Sequence, residues 1–133
     1  MKRMLVTFFA AIFLSGGVSA DENCSGMSNA EKSYCLVDLA DFLEKQMVAA
    51  YISLDREIAR LEGKSNAFAL ELRKNLQPSQ IGFEAFREPY CSFEIASAMG
   101  GNGSGLIRQM CINDMTTQRT KYLRTITERL GHH

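Results

Sequence analysis

Along the first half of the chain, apolar residues recur at intervals of four and three: Leu36, Ala40, Leu43, Met47, Ala50, Leu54, Ile58 and Leu61. That period keeps them on one face of an α-helix and leaves polar and charged residues on the other. Ser28-Asn29-Ala30-Glu31 marks the start, because its first and last side chains can each satisfy the other's backbone N–H as a capping box. Neither glycine nor proline follows until Gly63. The pattern therefore predicts one helix of roughly 33 residues, about 50 Å long, which needs partners along its whole length.

Gly63-Lys64-Ser65-Asn66 predicts a C-cap glycine and a turn back. A second helical stretch opens near Asn66, with Phe68, Leu72, Leu76, Ile81, Phe83, Phe86 and Tyr90 as its apolar residues. Pro78 and Pro89 each remove a backbone donor and disfavour helix at the residue before, so this helix is expected to be broken or kinked near both. A glycine-rich connector follows, Met99-Gly100-Gly101-Asn102-Gly103-Ser104-Gly105. The third helix is expected from about Leu106 to Leu130, with Ile107, Met110, Met115, Tyr122, Leu123, Ile126 and Leu130 on its core side. No segment alternates apolar and polar residues as a half-buried strand would. The fold class is all-α: a mostly antiparallel bundle of three main helices, the second one broken near Pro78 and Pro89, stapled by two disulfides.

Residues 1–20 change what is counted. Lys2 and Arg3 precede a predominantly apolar run from Met4 to Leu14, and Val18-Ser19-Ala20 forms a small-residue cleavage site, which reads as a signal peptide. The run is about half the length a bilayer requires, so no membrane insertion is expected after cleavage. Residues 21–133 are then a single helical domain, exported to the periplasm or secreted. The whole sequence of 133 residues balances 15 Lys+Arg against 15 Asp+Glu, and losing Lys2 and Arg3 makes the exported part mildly acidic. No basic footprint for nucleic acid exists.

All four cysteines, Cys24, Cys35, Cys91 and Cys111, fall in the exported part, where an even count reads as two disulfides. Three pairings are open. Loop closure favours the local one, Cys24 with Cys35 and Cys91 with Cys111. No Cys-x-x-Cys spacing and no internal histidine is present to build a tetrahedral metal site, so neither metal nor cofactor is expected. The glycine connector lacks a preceding strand and a Lys-Ser/Thr ending, which excludes a P-loop. A hydrolase triad has no interior histidine to serve as base, and no two carboxylates are marked as an acid/base pair. The protein is not expected to be an enzyme.

The most informative segment is Gln80-Ile81-Gly82-Phe83-Glu84-Ala85-Phe86-Arg87-Glu88-Pro89-Tyr90-Cys91. Helical spacing puts Gln80, Phe83 or Glu84, Arg87 and Cys91 on one face, so Arg87 is expected to be part-buried and paired, with the acidic start of the first helix as a possible partner.

On these residues the chain resembles the LprI-type lysozyme-inhibitor family. That family's pattern is an early cysteine pair, a central Gln-x-x-Trp-x-x-x-Arg-Asp-x-x-Cys segment, a glycine-containing stretch, a fourth cysteine and a Thr-x-x-Arg-Thr-x-x-Leu ending. This sequence supplies Cys24 and Cys35, Gln80, Phe83, Arg87, Glu88 and Cys91, Gly100-Gly101, Cys111, and Thr116-Thr117-Gln118-Arg119-Thr120 with Leu123. Phe83 stands where the family prefers tryptophan, and Pro89 interrupts a segment that is usually uninterrupted. The resemblance implies a secreted disulfide-bonded helical domain that inhibits lysozyme by direct binding. An envelope interaction module without action on lysozyme is the alternative.

Two surfaces are candidates for partner contact. One is the acidic start, where Asp21, Glu22, Glu31, Asp38, Asp41 and Glu44 face only Lys32 in residues 21–44; Asp38, Asp41 and Glu44 are its centre. Lysozymes are generally cationic, so such a patch is electrostatically complementary. The other is the connector at Gly100, Gly101, Asn102 and Gly103.

Overall fold

The capping box forms at the expected place. Ser28 Oγ accepts from the Glu31 N–H at 3.4 Å, and the Glu31 carboxylate accepts from the Ser28 N–H at 3.0 Å. The Ser28 hydroxyl and backbone amide hold the Glu31 carboxyl below the usual carboxylate range. From this cap runs α1 (Asn29–Glu62), the first of three helices in a computed structural model that describes residues 24–64, 66–99 and 101–132. It is followed by α2 (Ala67–Ser97) and α3 (Ser104–Gly131). The signal-peptide reading of residues 1–20 and the candidate contact Gly100 lie outside the described residues. No helix among the described residues is long and apolar enough to cross a membrane.

Side-chain links set the directions. Asn113 Nδ2 donates to the Leu36 carbonyl at 3.0 Å, Arg124 Nη2 to Gln46 Oε1 at 2.5 Å, and Arg60 Nη2 to the Leu130 carbonyl at 3.4 Å. Residue numbers rise together across these links, so α1 and α3 run parallel and make the most extensive helix contact. Connected to each by a short turn, α2 runs antiparallel to both. Met47, Ala50, Leu54, Ile58 and Leu61 of α1 form the core with Ala69 and Leu76 of α2 and Leu123 and Leu130 of α3. Of the other members of the expected stripe, Leu36 is buried and Ala40 and Leu43 are half-buried.

The second helix corrects the expectation. It is one continuous helix of 31 residues with Pro78 and Pro89 inside it, not a broken one. The two prolines are eleven residues apart, close to three full turns, so they share one face. Both are exposed, as are Lys74 and Ala85, whose carbonyls lose their helical donors; water can serve those oxygens. The outer face is also where a surface helix lengthens its hydrogen bonds as it curves around a core. Most of the apolar residues of this helix do not mark its inner face. Phe68, Ile81 and Phe86 are more than half exposed and Tyr90 is exposed, while Ala69, Leu76, Gln80 and Cys91 are buried. In α3, likewise, Ile107 and Tyr122 face out, and Ile112, Asn113, Thr116 and Thr120 are inside.

Both disulfides take the local pairing, Cys24–Cys35 and Cys91–Cys111, with Cα atoms 5.9 and 5.8 Å apart. The first folds the segment before α1 back onto its second turn. The second ties the last turns of α2 to the first turns of α3. Between them the chain reverses through Met99 at φ 64°, Gly101 at φ 138° and Gly103 at φ 97°. Gly103 caps α3 in that left-handed conformation, which a side chain would strain, and so the helix starts at Ser104, two residues before the expected Leu106.

Candidate functional site

The motif residues of α2 converge on one place. Arg87 Nη1 donates to Glu44 Oε2 of α1 at 2.8 Å and to Thr116 Oγ1 of α3 at 2.7 Å. The Thr116 hydroxyl in turn donates to the Ile112 carbonyl at 2.8 Å, so it is used in both senses. One turn earlier, Phe83 lies between two guanidinium groups, with Arg87 5.4 Å and Arg119 5.5 Å from the ring centroid. Each such contact contributes about 0.5–1 kcal/mol, more when desolvated. Gln80 accepts from Arg119 Nε at 3.1 Å and donates to Glu84 Oε1 at 2.9 Å and to the sulfur of Met47 at 3.6 Å. Gln80, Phe83, Arg87 and Arg119 thus join all three helices, Arg87 through Glu44 and Thr116 and Arg119 through Gln80. Glu88 stands apart on the surface, accepting from Arg108 Nη2 at 2.8 Å, beside Ser92, which accepts from Arg108 Nε at 3.0 Å.

Arg119 differs from Arg87 in one respect. Its Nη2 donates to Ser79 Oγ at 2.9 Å and its guanidinium also lies 5.9 Å from the Tyr122 ring, but no carboxylate among the described residues is within ion-pair distance. Burial pushes this guanidinium down from its ordinary value, while Tyr122 and Glu84 act in the opposite sense at longer range.

The described candidate contact residues lie in one half of the bundle, with Glu44 close to the middle of α1. Because α1 and α3 are parallel, their starts and the end of α2 lie together, with the connector between them. Asp38 and Asp41 are exposed there, and Asp41 accepts from Lys45 Nζ at 2.6 Å. Glu44 is half-exposed and is the partner of Arg87. Gly101, Asn102 and Gly103 are exposed, and the first two border a depression of about 280 Å³ shared with Glu94, Ile95 and Ile107. The most exposed of the large apolar side chains are at this end, with Met99 94%, Tyr34 76% and Phe93 67% exposed.

Two functional elements escape sequence reasoning. Thr116 is visible only as part of a motif, because nothing in its sequence surroundings shows that it accepts from an arginine of the preceding helix. Arg73 is the other: it links Asp55 and Glu62 of α1, with 3.2 Å from Nη2 to Glu62 Oε2. The available signal was its position, four residues after Ala69 and three before Leu76, inside the seam.

No curated protein and no solved structure matches this chain. The family described as lysozyme inhibitor LprI matches residues 20–123, from the edge of the expected signal peptide through Leu123, and takes in both disulfides, the Gln80 to Cys91 segment and Arg119. That match spans most of the sequence, and the chain belongs to the LprI lysozyme-inhibitor family.

Proposed function

We propose that this protein is a periplasmic or secreted lysozyme inhibitor that binds its target directly and catalyses nothing itself. In this reading residues 1–20 direct export and residues 21–133 are the inhibitory domain. The observation that carries it is the family match over residues 20–123. Two disulfides suit an oxidising compartment and support an extracytoplasmic site of action.

The connector end is the contact surface we propose. Charge supports it: when the helices are cut at their midpoints, the half with the connector holds eight carboxylates against four cations, and the other half five against nine. A cationic muramidase is drawn to the acidic half. There the exposed rings and Met99 supply apolar contact, and a narrow glycine turn fixed by the Cys91–Cys111 bridge supplies a projection able to enter a substrate cleft. Fixing its ends beforehand lowers the ordering cost on docking.

Clearing of a cell-wall suspension by lysozyme tests the proposal. Purified protein at micromolar excess is expected to slow the clearing by at least one lysozyme class in a dose-dependent way. Unchanged clearing with all classes would leave an envelope interaction module as the better account.

A further inference from the structure

At the opposite end of the bundle, α2 and α3 leave a trough between them. Its outer part, about 550 Å³, is walled by Leu61, Phe68, Leu72, Ile126 and Leu130, and its inner part, about 170 Å³, reaches Leu54, Leu76 and Leu123. Leu72, Tyr122 and Ile126 line both parts, so the two adjoin. Its volume lies within the range of small-molecule sites. Arg119 stands at the inner end and Arg129 at the outer, ten residues apart along α3, or about 15 Å. Neither part is lined by a carboxylate.

Arg119 is the feature that calls for a ligand. A half-buried cation ordinarily has an anion beside it, because neutral oxygens and ring faces only partly replace lost water. Arg119 has Gln80, Ser79, Phe83 and Tyr122 around it and no carboxylate at ion-pair distance among the described residues. Those same contacts hold the guanidinium in place, so it is set to receive an anion without further ordering. Arg129, exposed and at the solvent end, lacks that fixation.

We propose that this trough binds a single-chain amphiphile with an anionic head, the head against Arg119 and the apolar chain running outward between Leu72 and Ile126 towards Phe68 and Leu130. The site is distinct from the connector end and independent of lysozyme binding. A carboxylate head and a phosphate monoester head satisfy the same chemistry.

Displacement of cis-parinaric acid, whose polyene fluoresces when shielded from water, tests this on the purified protein. The competitors are laurate, monododecyl phosphate and 1-dodecanol, all below their aggregation concentrations. One or both anions are expected to compete saturably at one per chain and at least ten-fold more tightly than the alcohol; which anion is tighter identifies the head. Equal competition by the alcohol, or no saturable binding of the probe, overturns the proposal. Arg119→Gln is expected to erase the preference for anions while retaining the affinity for 1-dodecanol, a pattern that collapse of the trough would not produce. Arg119→Lys, which keeps the charge, is expected to retain the preference, and so is Arg129→Gln. Loss of the preference in Arg129→Gln with its survival in Arg119→Gln would overturn the assignment of the head to Arg119.

Discussion

Arg87 shows what a charge inside a helical seam requires. Its side chain is 14% exposed, and one nitrogen serves both Glu44 and Thr116, while Nε is buried without an acceptor among the described residues. That orphan donor lowers the net value of the arrangement, and the stacking on Phe83 offsets part of it. Removing a buried partner typically costs 3–5 kcal/mol, roughly, but Glu44 is 42% exposed and regains water when left alone. For Arg87→Ala we therefore expect a loss of about 2–3 kcal/mol, or a melting temperature roughly 10 °C lower. Arg87→Lys can keep the charge but neither the fork nor the stacking, and should recover less than half of the loss. Thermal unfolding by circular dichroism reads both variants, and a melting point for Arg87→Ala within a degree or two of the parent would remove the pair from the stability account.

Single helices differ in how much of this was legible. In α1 the buried positions are the apolar ones, so the stripe from Leu36 to Leu61 could be read directly, together with its cap. In α2 the inward positions recur at the same four-three spacing but read Ala69, Arg73, Leu76, Gln80, Phe83, Arg87 and Cys91, so the most hydrophobic side chains mark the wrong face. The inward side of α3 carries Asn113, Thr116 and Thr120, whose groups are satisfied by the Leu36, Ile112 and Thr116 carbonyls. One bond to α1 and two back-bonds within α3 let those polar groups sit inside, and a count of apolar positions does not register that. The motif segment from Gln80 to Cys91 was legible as a unit, because its spacing required a paired Arg87. The break expected at the prolines of α2 is absent for a related reason: their shared outward phase decides their effect, and it depends on where the seam lies. Pro78→Ala restores a donor to the Lys74 carbonyl and relieves the ring's clash, while the unfolded chain gains some entropy. We expect a net stabilisation of about 1–2 kcal/mol, seen as a higher denaturation midpoint in urea at unchanged slope. A lower midpoint would mean that the proline sets a curvature on which packing with α1 and α3 depends.

Seen whole, the described chain carries thirteen charges of each sign and yet is not electrically uniform. The parallel course of α1 and α3 gathers Glu31, Asp38, Asp41, Glu88, Glu94 and Asp114 near the connector and Lys121, Arg124 and Arg129 near the trough. A formal charge of −4 on one half faces +4 on the other, a separation that steers partners of opposite sign to opposite ends. For a cationic lysozyme this field and the glycine turn make separable contributions. Attraction acts before contact and is screened within about 8 Å at physiological salt, so it governs the association rate. Fixed apolar and backbone contacts act after docking and govern dissociation. Replacing both Asp38 and Asp41 by lysine brings the connector half to neutrality, and should slow association several-fold at low ionic strength and hardly at all at high. Deleting Gly101 and Asn102 leaves that field intact and should instead speed dissociation. Surface plasmon resonance with an immobilised lysozyme that the parent protein inhibits, at two salt concentrations, separates the two. If the charge reversal altered only the dissociation rate, or the deletion only the association rate, neither Asp38 and Asp41 nor the glycine turn would act as proposed, and attention would pass to the exposed aromatic side chains of α2 at the same end, Phe86, Tyr90 and Phe93.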